Sequence, residues 1–121
     1  MIREKKDHVD LEVEGRLLCR HVHRSDVPMS ESPRPYFHPL RTLTGDTVTD
    51  LRPADHRWHH GLSLTSANLS GQNFWGGPTY VRDQGYVLLD DHGRVEHAAW
   101  DALGGGALAR RAARAGARVD P

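Results

Sequence analysis

The sequence predicts an all-β fold, a partial, supersandwich-like β-sandwich of short antiparallel strands. Apolar and polar residues alternate over short stretches, and turn-forming Gly, Pro, Asp and Asn recur about every ten residues. No segment before the C-terminal tail carries a sustained 3.6-residue apolar stripe. This combination is typical of sandwiches and barrels. Six or seven strands of this kind enclose a thin core and leave an unpaired edge and an uncovered face.

Residues 1–9 form a charged arm, and the β domain is read over 10–103. Leu11, Val13, Leu17 and Cys19 alternate with polar neighbours on either side of Glu14-Gly15, as in two strands joined by a tight turn. Val22 follows out of phase. Residues 25–35 hold three prolines and read as a loop. Tyr36 to Leu43 is a strand in which Pro39, lacking an N–H, demands an edge or a bulge. Thr44-Gly45-Asp46 is a turn, followed by the β-branched Thr47-Val48-Thr49. Gly61 to Leu69 alternates as a half-buried strand would. Gly71, Gly76, Gly77 and Pro78 break the chain around Asn73-Phe74-Trp75. The clearest hairpin pairs Gly85–Leu89 with Arg94–Trp100 across the turn Asp90–Gly93.

Residues 104–121 differ in composition: Gly, Ala and Arg dominate, with four arginines against one acid. Ala and Arg favour helix, so a basic helix near 107–115 or a disordered tail is expected. Three readings stand for this tail: a solvated terminus, a basic interaction tail, or out-of-frame translation of GC-rich DNA. The last would make the β domain incomplete, a truncated form.

Sixteen Lys+Arg balance sixteen Asp+Glu, which argues against nucleic acid and anionic membranes as partners. No apolar run is long enough to span a bilayer, and the charged start is no secretory leader. The lone Cys19 allows no internal disulfide and suits a reducing, cytoplasmic setting. On its apolar-alternating strand it reads as a buried, inert thiol. The unusual count is nine histidines against two phenylalanines.

Chemistry-bearing residues concentrate between Arg34 and Trp75. Arg34-Pro35-Tyr36-Phe37-His38-Pro39-Leu40 and Asp55-His56-Arg57-Trp58-His59-His60-Gly61 both set aromatic, basic and imidazole groups beside turn formers. Pro35-Tyr36-Phe37-His38-Pro39, Gly45-Asp46, Asp55 to Gly61 and Asn73-Phe74-Trp75 together resemble the bacterial PmoA-like family, labelled "methane oxygenase PmoA". The resemblance covers roughly residues 10–103, the N-terminal part of a longer family pattern. More loosely the pattern is similar to the galactose-mutarotase-like supersandwich proteins. Membrane-embedded methane oxidation does not suit a chain without a spanning segment. The association of PmoA-like proteins with sugar-related oxidoreductases implies instead a role in sugar metabolism, by analogy of fold and motif.

Carbohydrate chemistry suits these side chains. Tyr36, Trp58 and Trp75 can cover the C–H face of a sugar ring while donating a hydrogen bond each. Arg41, Asp55, Arg57 and Asn73 can read hydroxyls. His38, His59 or His60 can move a proton near neutral pH. Mutarotase-like enzymes pair the histidine with a carboxylate. After Glu31 the only glutamate is Glu96, so Glu96 or an aspartate would fill that role.

A metal-dependent reading competes. His56, His59 and His60, with Asp55 or with the His21-x-His23 pair, could supply a non-haem iron oxygenase or a zinc hydrolase. The spacing is not that of a metalloprotease helix, and no CxxC accompanies it. These histidines serve equally well as turn residues bonded to backbone, and the tryptophans as core or rim anchors. A non-catalytic interaction module is the third reading. Enzymatic status, cofactor and oligomeric state stay open at this level.

Overall fold

The computed structural model describes residues 1–104 and 107–115, and its fold is all-β apart from one 3-10 turn at Met29–Glu31. Four strands, β1 (Ile2–Glu4), β2 (His8–Val13), β3 (Arg16–Val22) and β4 (Tyr36–Leu40), form one antiparallel sheet in sequential order. Two hairpins complete it: β5 (Thr79–Val81) with β6 (Gly85–Val87), and β7 (Arg94–Gly104) with β8 (Ala107–Ala115). Among the described residues no helix is long and apolar enough to cross a membrane.

The expected tight turn joins β2 to β3. Glu14 and Gly15 take φ of 51° and 75°. Two successive positive φ values match the right-handed twist of the flanking strands. Register breaks between Leu11 and Glu12, and again between Cys19 and His21 against β4. Val9 faces His21, and Leu11 faces Cys19. Val9, Cys19 and His21 are buried, so the position in phase with Cys19 belongs to His21 and not to Val22. The charged start is an edge strand, a placement that discourages further pairing. Pro39 sits on β4, the opposite edge, as its missing donor requires.

β7 lies on the face of this sheet that carries His21. The Trp100 ring is 5.4 Å from His21 and 6.1 Å from His23, and the His97 ring is 4.9 Å from His23. Val95 N–H donates to Pro33 O at 2.9 Å.

Several expected elements differ. Gly61 to Leu69 is not a strand. Within it Leu62 bridges to Phe37 and Leu69 to Gln72 in a tight turn, and Leu64 is 83% exposed, because no neighbouring strand takes up the alternation. Thr47-Val48-Thr49 makes one bridge, Thr47 to Arg41, and Val48 points to solvent. β6 pairs backward with β5 across a turn in which Asp83 has φ 65°, setting Tyr80 opposite Tyr86. β7 pairs forward with β8. The expected pairing of 85–89 with 94–100 does not form, because residues 91–93 are drawn into the interior instead. In the segment read as a basic helix or disordered tail, the backbone of 107–115 runs as β8 against β7.

The interior is polar. Among the described residues the buried apolar side chains are Val9, Cys19, Pro33, Pro35 and Phe74, whereas Glu31, Ser32, Arg34, His60, Asn73 and His92 are also buried. Their hydrogen bonds tie three loops together. Ser32 Oγ donates to Asn73 O at 2.7 Å, and Gly77 N–H donates to Ser30 O at 2.8 Å. His92 Nε2 donates to Gly77 O at 2.8 Å, and Gly93 N–H donates to Asn73 O at 2.8 Å. A thin apolar core is thus supplemented by satisfied polar contacts.

Candidate functional site

A cleft of about 710 Å³ opens between the 56–65 segment, the 75–78 segment and β6. Its first wall is a compact loop. His56 N–H donates to Pro53 O, His59 N–H to His56 O, and Arg52 N–H to His59 O, all at 2.8–2.9 Å. Gly61 closes this loop at φ 49°, where a Cβ would overlap the carbonyl of Phe37. The second wall is an Asx turn: Asn73 Oδ1 accepts from the N–H groups of Trp75 (2.8 Å) and Gly76 (3.0 Å). Gly77 brings the two walls together, since a Cβ there would lie 2.5 Å from the Trp58 ring.

Trp58, Trp75 and Tyr86 line the cleft with His56, His59 and His60, the hydroxyls of Ser63 and Thr65, and Arg34. Trp75 and Tyr86 are 51% and 76% exposed, and the His56 ring lies 5.0 Å from Trp58, tilted by 49°. Among the described residues no aspartate or glutamate lines the cleft.

Behind it lies a charged network. Glu31, buried at the end of the 3-10 turn, accepts from Arg52 Nε (2.7 Å) and Nη2 (2.8 Å) and from His60 Nε2 (3.0 Å). His60 Nε2 is also 3.1 Å from Arg57 O. Both neighbours are oxygens, so Nε2 carries the proton. Nδ1 then keeps its lone pair, buried and without a hydrogen-bond partner among the described residues. Burial holds the His60 pKa below its ordinary value; the Glu31 hydrogen bond opposes this and the Arg34 charge adds to it. Burial alone would raise the Glu31 pKa, yet the bonds from Arg52 and His60 outweigh it and hold the carboxyl low.

Arg34 is 3% exposed. It donates Nε–H to Ser63 Oγ (2.9 Å), Nη1 to Glu31 O and Ser32 O (both 2.9 Å), and Nη2 to Trp58 O (2.6 Å). Burial pushes its pKa down to about 10, against the pull of Glu31, so it stays protonated at neutral pH.

Of the residues singled out from the sequence, Trp58, His59, His60 and Trp75 meet in the cleft, joined by His56. The others do not line it. His38 Nδ1 is 2.7 Å from Thr49 Oγ1, and Arg41 donates to Thr47 Oγ1 at 3.3 Å. The Tyr36 ring lies 5.8 Å from His60. Asp55 is exposed beside His56 (3.4 Å), Arg57 is exposed, and Asn73 is buried in its turn. The carboxylate beside the histidine is Glu31; Glu96 instead pairs with Arg94 at 2.8 Å on the surface. Among the described residues the His56–His60 cluster does not converge as a chelate. Among the described residues no three His, Cys, Asp or Glu side chains group to hold a cation. Sequence reasoning passed over Glu31, Arg52, Ser63, Thr65 and Tyr86. A lone glutamate in a proline-rich loop carries no periodic signal that would mark it as buried.

A family of unknown function, DUF6807, matches residues 8–115, which include every residue of the cleft and of the network behind it. The chain belongs to this family. The matched stretch runs on past Gly104, through β8. No curated protein and no solved structure matches the chain.

Proposed function

We propose that this DUF6807 domain binds a carbohydrate in the cleft between Trp58 and Trp75. One observation carries the reading: three partly or largely exposed aromatic side chains, Trp58, Trp75 and Tyr86, line one 710 Å³ cleft together with hydroxyl and imidazole groups. A sugar presents apolar C–H faces and a rim of hydroxyls, and aromatic walls with polar tips complement both. The resemblance of residues 10–103 to the PmoA-like family and, more loosely, to mutarotase-like proteins supports the same ligand class.

Within this reading the two neighbouring histidines divide their work. His59 is exposed and lines the cleft, so it is the imidazole able to exchange a proton with a bound sugar. The His60 side chain is fully buried and held by Glu31, so it positions the loop that carries Trp58 and His59. Calorimetric titration of the protein with a panel of hexoses, pentoses and their acids tests the proposal. Binding that Trp75→Ala weakens about tenfold is expected. No heat and no thermal shift with any sugar overturns it. Turnover of a bound sugar, if found, should fall in His59→Ala.

A further inference from the structure

Arg34 is a buried cation without a counter-charge of its own among the described residues. Its four hydrogen bonds go to three carbonyls and one hydroxyl, all neutral acceptors. A guanidinium has five N–H groups, and the fifth, on Nη2, has no partner among the described residues. The nearby carboxylate, Glu31, is already engaged by Arg52 through two hydrogen bonds and by His60 through a third. Two guanidiniums therefore face one carboxylate, beside a neutral imidazole. Buried charges are ordinarily paired, because desolvation is costly otherwise.

The lining of the cleft continues the imbalance. Arg34 and three histidines line it, no aspartate or glutamate among the described residues does, and Ser63 already accepts from Arg34. Trp58, Trp75 and Tyr86 add further N–H and O–H donors. A wall rich in donors and lacking carboxylates suits a ligand that brings its own negative charge.

From this we infer that the ligand of the cleft is an anionic sugar, whose carboxylate or phosphate is the missing counter-charge of Arg34. The inference rests on the carbohydrate reading of the same cleft and narrows it to a substrate class.

The test compares ligands that share a ring and differ in charge. Wild-type protein is titrated at neutral pH with glucose, glucuronate and glucose 6-phosphate, and with galactose and galacturonate. At least tenfold tighter binding of an acidic member over its neutral parent is expected. A preference for the uronates or for the phosphate assigns the anionic group, and either supports the inference. Equal affinities, or tighter binding of the neutral sugars, overturn it and leave the carbohydrate reading standing. No binding by any of the five or by any member of the wider sugar panel overturns both. Arg34→Gln, with its fold checked by circular dichroism, should bring the acid-to-neutral ratio toward one. A folded variant that keeps the full ratio overturns the assignment to Arg34. The wild-type ratio decides the central point even if this variant does not fold.

Discussion

Glu31 and His60, separated by 29 positions in the chain, meet at 3.0 Å in the interior, Oε1 against Nε2. Arg52 clamps the same carboxylate from the other side. This contact links the proline-rich loop before β4 to the histidine-rich loop after it, and so sets where Trp58 and His59 stand. Removing the carboxylate leaves a buried imidazole N–H bonded to little but a carbonyl. Glu31→Ala should therefore destabilise the domain by about 2 kcal/mol, the order expected when a buried polar group loses its partner. Glu31→Gln, which can still accept a hydrogen bond, should lose less. Urea denaturation of the two variants checks the order, and equal losses would contradict it.

Acid should destabilise the fold in two stages. Burial holds His60 and His23 below the ordinary 6.5. The unfolded chain then takes up these protons first, so stability falls as pH drops below 6.5 toward the folded values. Asp10, held low chiefly by its hydrogen bond from Arg20, and Glu31 lie below 3.8 and 4.5 respectively. Their contribution is fully present above those values and is lost as pH falls through the folded ones. Melting temperatures recorded from about pH 8 to about pH 3 should show both limbs, and Glu31→Gln should flatten the lower one. A melting temperature that stays constant between those limits would refute this assignment.

Gly77 and Gly45 both have positive φ, 70° and 100°, but differ in surroundings. A methyl on Gly77 would strike the Trp58 ring at 2.5 Å, whereas nothing lies within 4 Å of one on Gly45. Gly77→Ala should cost about 3 kcal/mol through strain and overpacking together. Gly45→Ala should cost about 1 kcal/mol, through backbone strain alone. Tryptophan fluorescence during unfolding reads both, and should be shifted in the native state of Gly77→Ala only.

Trp75 is half exposed and its indole supports little of the interior. Trp75→Ala should change stability by about 0.5 kcal/mol or less while weakening sugar binding about tenfold. Trp58→Ala should weaken both, since Trp58 is wedged against Gly77. Paired melts and titrations separate the two roles.

Cys19 is buried between β2 and β4, and burial, followed by the Asp10 charge, pushes its thiol pKa up. Its reaction with a thiol reagent should be slow in buffer and fast in denaturant. Equal rates in the two conditions would show that the strand is open.

Local chemistry made part of this molecule legible in its sequence. Glu14-Gly15 can form a two-residue turn with positive φ, so β2 and β3 were readable, and Pro39 announced an edge. The aromatic and imidazole cluster at 56–60 marked one wall of the cleft. The strand read over Gly61 to Leu69 failed because alternation needs a partner strand, and only Leu62 finds one. The last hairpin failed because two strands can each pair with either neighbour, and burial of His92 at Gly77 decided between them.

By itself the sequence determined the all-β class, the first hairpin and one wall of the cleft, because each depends on short-range pattern and turn stereochemistry. Only the tertiary structure decided that Glu31 is the partner of His60, that Tyr86 completes the cleft, and that Arg34 is buried without a carboxylate of its own among the described residues. These are contacts between loops distant in the chain, where no periodicity links one residue to the next and burial arises from the packing of the whole.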